Sequence, residues 1–288
     1  MTQSDDPLVA MMMAVRDAQA ARALEHESVR ESAEYQEALA SVRHTVVGLF
    51  KTLNLCEFVA TRWPAYQERY LFPRHIDDIG EAALAAQLAI ENGALNATRR
   101  ELRYMLEVAV NTAFVDEAAS DQDLDDRLSF YRSNAVKKQN VDHVRYLPLR
   151  MLSESRGEFM VETRKAWVRS SNYVHLTKRR IDEKIRLRAE GVRLGFETPE
   201  MVATVAAEVH EVCSIVIVLA FETVGPAFTG DILVTGGLDS NEAWPFHANR
   251  FIAAVDAHFD YKQERQASLP DHIRRRERRL RRVSGDHA

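Results

Sequence analysis

Arg164, Arg169, Ser171, Asn172 and His175 fall within one stretch, Arg164-Lys-Ala-Trp-Val-Arg169-Ser-Ser-Asn-Tyr-Val-His175. A permanently charged guanidinium, small polar groups and a titratable imidazole are a minimal kit for cleaving a phosphodiester: the arginine stabilises charge on the phosphate and the histidine moves a proton near neutral pH. On an unbroken helix six positions turn through about 240°, which sets Arg169 about 120° away from His175. Ser170, Ser171 and Asn172, three poor helix formers, stand between them and give the backbone a place to loosen. Arg164, Ser171 and His175, spaced by close to whole turns, share one side of a continuous helix, which makes Arg164 the substitute for Arg169. Alternatively, Arg169 pairs with an acidic residue of a neighbouring helix, and His175 closes its own helix against the dipole.

The elements that must position these residues read as helices almost throughout. Residues 15–53 form a long helix or pair whose first half is too charged for a core. After the breaks at Trp63-Pro64 and Phe72-Pro73, Asp78 three residues before Glu81 resembles a capped start for a helix ending near Gly93. Residues 96–119 place Leu102, Leu106, Ala109, Val110, Ala113 and Phe114 on one face. A shorter piece follows the acidic run 121–126. Residues 153–175 carry Met160, Trp167 and Val174 at sevenfold spacing, a stripe that asks for a partner helix. Residues 177–194 are charge-rich, with Arg179 and Arg180 near the start. Thr198-Pro199 opens a helix to about residue 223 that is apolar nearly all round from Val212 and therefore central. Residues 225–245 read as a loop with Asp231-Ile-Leu-Val234 as a possible strand, and residues 246–266 as a last helix. Beyond them seven arginines crowd into residues 274–282. Like charges so dense should be poorly ordered alone and should dock on polyanions, with Arg274, Arg275 and Arg276 as contacts.

The chain has 288 residues, 46% of them hydrophobic, so a real core is available and disorder throughout is excluded. With 38 basic and 43 acidic residues the net charge is −5, and any nucleic-acid contact must come from local patches. Cys56 and Cys213 lie far apart in apolar surroundings, as buried thiols of a reducing compartment would. Asp5 and Asp6 stand where a signal peptide carries positive charge, and the apolar run 212–221 is about half what a bilayer needs. The expectation is a cytoplasmic protein with no membrane association. Gly236-Gly237 belongs to no nucleotide-binding motif, His26-Glu27 and His210-Glu211 lack a second histidine, and no Gly-x-Ser-x-Gly is present. No metal and no cofactor is expected.

Ser170-Ser-Asn-Tyr-Val-His175 resembles the signature of HEPN domains in their abortive-infection and toxin branches, and Arg103-Tyr-Met-Leu-Glu107 with Ala109, Val110 and Asp116 resembles the long helix preceding it. The likeness covers about residues 96–223. It implies an all-α, multi-helix bundle, a metal-independent endoribonuclease of a prokaryotic defence or toxin system, and a cleft formed where two such domains meet. Arg169 would then stabilise the scissile phosphate, His175 transfer the proton, and Ser171 and Asn172 orient the phosphate or the imidazole. Arg164, Arg179 and Arg180 would join the tail in binding RNA. The expected organisation is an N-terminal helical region (1–94), a HEPN-like core (95–224), a loop and helix (225–270) and a basic tail (271–288), in a homodimer burying the helix around Trp167. The alternative is a non-catalytic helical module that binds nucleic acid or protein through its charged helix and tail, or serves as a helical adaptor.

Overall fold

The computed structural model describes residues 7–135, 141–174, 178–189, 196–238 and 241–285. Of the described residues 81% are helical and none is in a strand. The all-α architecture expected from periodicity is the one observed.

The first helix, α1 (Pro7–Arg30), exposes Leu8, Met11, Met12, Val15 and Leu24 and is tied down by its last turn, where Arg30 donates to the Glu91 carbonyl. Ser32 caps α2 (Ala33–Ala60), its hydroxyl accepting from the Tyr35 amide. Along α2 the residues Tyr35, Leu39, Val42, Val46, Leu49 and Leu53 recur at three- and four-residue intervals and are buried. After the short α3 (Pro64–Arg69) comes a 3-10 turn at Pro73–His75, which starts α4 (Ile76–Glu91) a few residues earlier than the Asp78 signal implied. Asp78 lies in the first turn and pairs with His75 at 2.6 Å. Gly93 (φ +71°) ends α4: its amide bonds to Ile90 and that of Ala94 reaches back to Ala89, a Schellman closure that folds α5 (Leu95–Ala118) back against α4.

Asp123 caps α6 (Leu124–Phe130), whose Arg127 is fully buried and pairs with Asp116 of α5 at 3.1 Å. Asp116 also accepts the amides of Leu71 and Phe72 at 2.7 and 2.8 Å, and so ties the loop before α4 to α5. Next come α7 (Arg156–Ser171) and α8 (Lys178–Ala189). Thr198 caps α9 (Pro199–Gly230), with Pro199 at its first turn, as the sequence indicates. Residues 212–221 of α9 are buried without exception, against α2 on one side and α5 on the other. The span Pro199–Thr235 is long and apolar enough to cross a membrane by composition, and 72% of its most apolar window is buried inside the protein. The helix runs on past residue 223 to a kink at Gly225 (φ +84°) and Pro226.

Residues 231–234, read as a possible strand within a loop, lie instead in a π-helical turn, Asp231–Thr235, that continues α9. The single last helix expected over 246–266 is two, α10 (Arg250–Ala257) and the one-turn α11 (Gln263–Gln266). The arginine tail, expected to be poorly ordered, is helical as α12 (Leu269–Gly285). One hydrophobic core runs from Tyr35 to Phe259 and draws on residues of 1–94, 95–224 and 225–270 alike.

Candidate functional site

Four residues of α7, Phe159, Thr163, Ala166 and Ser170, repeat at helical spacing and are buried, which fixes the helix's rotation about its axis. Trp167 therefore turns toward α5 of the same chain. Its indole N–H donates to Glu107 at 2.9 Å, the Arg103 guanidinium lies 5.2 Å from its ring, and Arg103 pairs with Glu107 at 2.9 Å. Met160 packs against the core and Val174 is exposed. The stripe of Met160 and Trp167 is thus met by the chain's own helices.

Helix α7 stops at Ser171, with Asn172 as its C-cap and a turn through residue 174. The three poor helix formers end it, so the 240° rotation separating Arg169 from His175 on an ideal helix does not carry through. Ser171 Oγ donates to the Trp167 carbonyl at 2.7 Å, a bond that closes the last turn. Arg169, also on that last turn, donates through Nη2 to Glu211 and sets Nε 3.6 Å from Glu208, both on α9. Glu208 is buried and accepts two hydrogen bonds from Arg99 of α5, at 2.7 and 3.0 Å. The Arg99 guanidinium lies 4.3 Å from the Tyr173 ring, and the Tyr173 hydroxyl donates to Glu183 of α8 at 3.3 Å. Arg100 donates to the Tyr173 carbonyl at 3.1 Å. The turn that leads to His175 is thus pinned to α5 and α8, and the residue that could act on phosphate is pinned to α9.

Charge in this cluster is shared unevenly. Burial pushes the Glu211 carboxyl above its ordinary range, and Arg169 opposes that push without cancelling it. Burial works against the charged form of Arg99, but the hydrogen bonds to Glu208 and the negative charge of Glu208 together outweigh it and raise the guanidinium's pKa. Arg99 is therefore held as a cation beside Glu208. Burial also raises the Tyr173 hydroxyl.

Two open clefts flank the turn and share Glu183. One, of about 520 Å³, is lined by Val161, Arg164, Val168, Arg169, Asn172 and Tyr173; the other, of about 620 Å³, by Leu95, Arg99, Arg100, Lys184 and Glu197 among others. No family model matches this chain, and neither does any curated protein or solved structure.

Arg169, Ser171 and Asn172 are brought together at the end of α7, and Arg169 and Asn172 face the smaller cleft. Arg164 lies on the same cleft, 69% exposed and 3.6 Å from Asp142. His175 lies outside the described residues, and so do the side chains of Arg179 and Arg180, although both residues belong to α8. Arg274 and Arg275 are exposed on α12. Arg276 turns inward, pairing with Asp256 at 2.8 Å and Asp260 at 2.6 Å, which makes it an anchor of the helix. Among the described residues no group of three or more histidine, cysteine, aspartate or glutamate side chains is placed to hold a metal ion. Sequence reasoning missed Arg99, Glu208 and Glu211. The signal was there: two carboxylates three residues apart on the most apolar helix of the chain require a cationic partner.

Proposed function

We propose that this chain is a HEPN-like, metal-independent endoribonuclease of a prokaryotic defence or toxin system, working as a homodimer, with Arg169 on the scissile phosphate and His175 in proton transfer. The observation that carries the reading is the end of α7 at Ser171: Arg169 occupies the last turn, on the wall of an open cleft, and four residues after the helix end the chain reaches His175. Arg164 and Lys165 line the same cleft and add positive charge for the RNA backbone. Glu211 accepts from Arg169 Nη2 and the Glu208 carboxylate lies 3.6 Å from Nε, so two carboxylates on α9 position the guanidinium, the kind of support that lets a charged donor act with little reorganisation. In the proposed step the RNA 2′-hydroxyl attacks the adjacent phosphorus, the 5′-oxygen leaves, and His175 takes or gives the proton. The dimer of this proposal would use the outer face of α7, where Val161 and Val168 are exposed beside Arg164, since Trp167 is engaged within the chain.

The test is the identity of the product. Purified protein treated with EDTA should cut RNA and leave a 2′,3′-cyclic phosphate opposite a 5′-hydroxyl. Activity abolished by EDTA, or a 3′-hydroxyl product, refutes the mechanism.

One observation favours a second reading, a non-catalytic module that binds nucleic acid or protein. The carboxylates around Arg169 already neutralise it, and Lys184 and Arg188 of α8 form no ion pair among the described residues. Under that reading RNA is bound and never cut, and Arg169→Ala leaves the affinity unchanged.

A further inference from the structure

The tail helix has two unlike sides. At about 100° per residue, Arg274, Arg275, Arg278, Arg281 and Arg282 fall within a sector of about 120°, and they run about 12 Å along the axis. All five are exposed. The opposite side carries His272, Arg276 and Leu280 and faces the body of the protein. There Asp256 of α10 accepts from Arg265, Arg276 and His272, and Asp260 accepts from Arg265 and Arg276, Arg276 bonding to it through both terminal nitrogens at 3.0 and 2.6 Å. Seven arginines against Asp271 and Glu277 at three- and four-residue spacing repel one another, so a helix of this composition gains little from its own sequence. The carboxylate clasp at Asp256 and Asp260 is what holds it in place.

We propose that α12 is a preformed rod that docks on the phosphate backbone of a nucleic-acid duplex. Charge complementarity carries the assignment. The pairs that Arg274 makes with Asp271 and Arg281 with Glu277 are solvent-exposed, and exposed pairs yield readily to a denser anion. An anionic membrane fits less well: a helix that lies on lipid shows it an apolar face, and the exposed sector here contains arginines and Asp271 with no apolar side chain. A single strand also fits less well, because such sites stack bases on aromatic rings and the sector has none. A duplex presents about one charge per 1.7 Å of axis, dense enough to engage all five guanidinium groups at once.

Equilibrium binding of the full chain to a labelled twenty-base-pair DNA duplex and to its RNA counterpart, titrated with salt, tests this. The DNA arm has no 2′-hydroxyl to react, so failure here is separate from failure of the cleavage reading. Changing the five arginines to glutamine, with the fold checked by circular dichroism, should flatten the slope of log K against log salt by about 4.5. It should also weaken binding at 0.15 M salt by at least about tenfold. Binding of either duplex with that loss supports the assignment. An unchanged slope overturns it, and so does binding to phosphatidylserine vesicles with no binding to duplex. Asp260→Asn separates the rod from mere charge. It removes a negative charge, so electrostatics alone predicts tighter binding, whereas loss of the clasp predicts weakening by about threefold or more. Equal or tighter binding by that variant overturns the preformed rod.

Discussion

Replacing Glu208 by alanine should destabilise the protein more than any other single truncation around the α7 terminus. The carboxylate is buried and receives Arg99 at 2.7 and 3.0 Å, with Arg169 at 3.6 Å; the Arg99 side chain is 11% exposed. Truncation leaves the Arg99 cation without a counter-charge where water cannot replace it, a change that costs about 3–5 kcal/mol. That is a large share of an ordinary folding free energy of about 5–15 kcal/mol. Arg169→Ala is different in kind. Its side chain is 37% exposed and its partner Glu211 31%, so the pair is partly screened and its loss costs about 1 kcal/mol or less. Urea unfolding followed by circular dichroism measures both, as a shift of midpoint at constant slope. The double variant Arg99→Met with Glu208→Ala removes the stranded charge and should be more stable than Glu208→Ala alone. A loss below about 1 kcal/mol for Glu208→Ala, or a double variant less stable than the single, would refute the idea that this carboxylate ties α5 and α7 to α9.

Three further outcomes follow from groups elsewhere in the fold. Burial opposes ionisation of Asp256, but His272, Arg265 and Arg276 prevail and hold its carboxyl at about 2, below the ordinary 3.8. Because that value is depressed on folding, about 2 kcal/mol of stability is present above about pH 4 and lost as pH falls toward 2. Unfolding midpoints measured across that range should fall in the native protein and fall less in Asp256→Asn. Gly93→Ala demands a positive φ of an alanine and drives its Cβ into the Glu197 carboxylate, so thermal unfolding should report a loss of about 1–3 kcal/mol. Burial pushes the Cys56 and Cys213 thiols up to about 12, so a thiol reagent at pH 8 should label neither until the protein is unfolded.

Helices with one long apolar stripe or a strong cap were readable from the residues: α5 from Leu102 to Phe114, and α9 from Thr198-Pro199 and the run after Val212. The turn elements were not. Asp231–Thr235 has the β-branched composition of a strand, yet it continues a helix through the kink at Gly225 and Pro226, and the packing of Ile232 and Leu233 into the core decides it. The tail was misread because composition counts charges and not their partners. Arg276 finds Asp256 and Asp260, 20 and 16 residues earlier in the chain, and no local pattern announces a contact of that kind. That Arg169 pairs with an acidic residue of a neighbouring helix was one of the two sequence readings, and it is the pairing observed, but the sequence did not say which residue. Its candidacy rested on neighbours in sequence, while Glu208 and Glu211 come from another helix; the two carboxylates inside an apolar face were the one available clue.

The central claim, that Arg169 and His175 act together on RNA, is tested most directly by comparing cleavage rates of the native protein with those of Arg169→Ala, Arg164→Ala and His175→Ala, each shown to be folded. The account predicts a loss of at least about a hundredfold for Arg169→Ala and for His175→Ala, and a much smaller loss for Arg164→Ala that saturating RNA overcomes. Native rates in His175→Ala would contradict it outright, and loss confined to Arg164→Ala would move the phosphate contact to that residue.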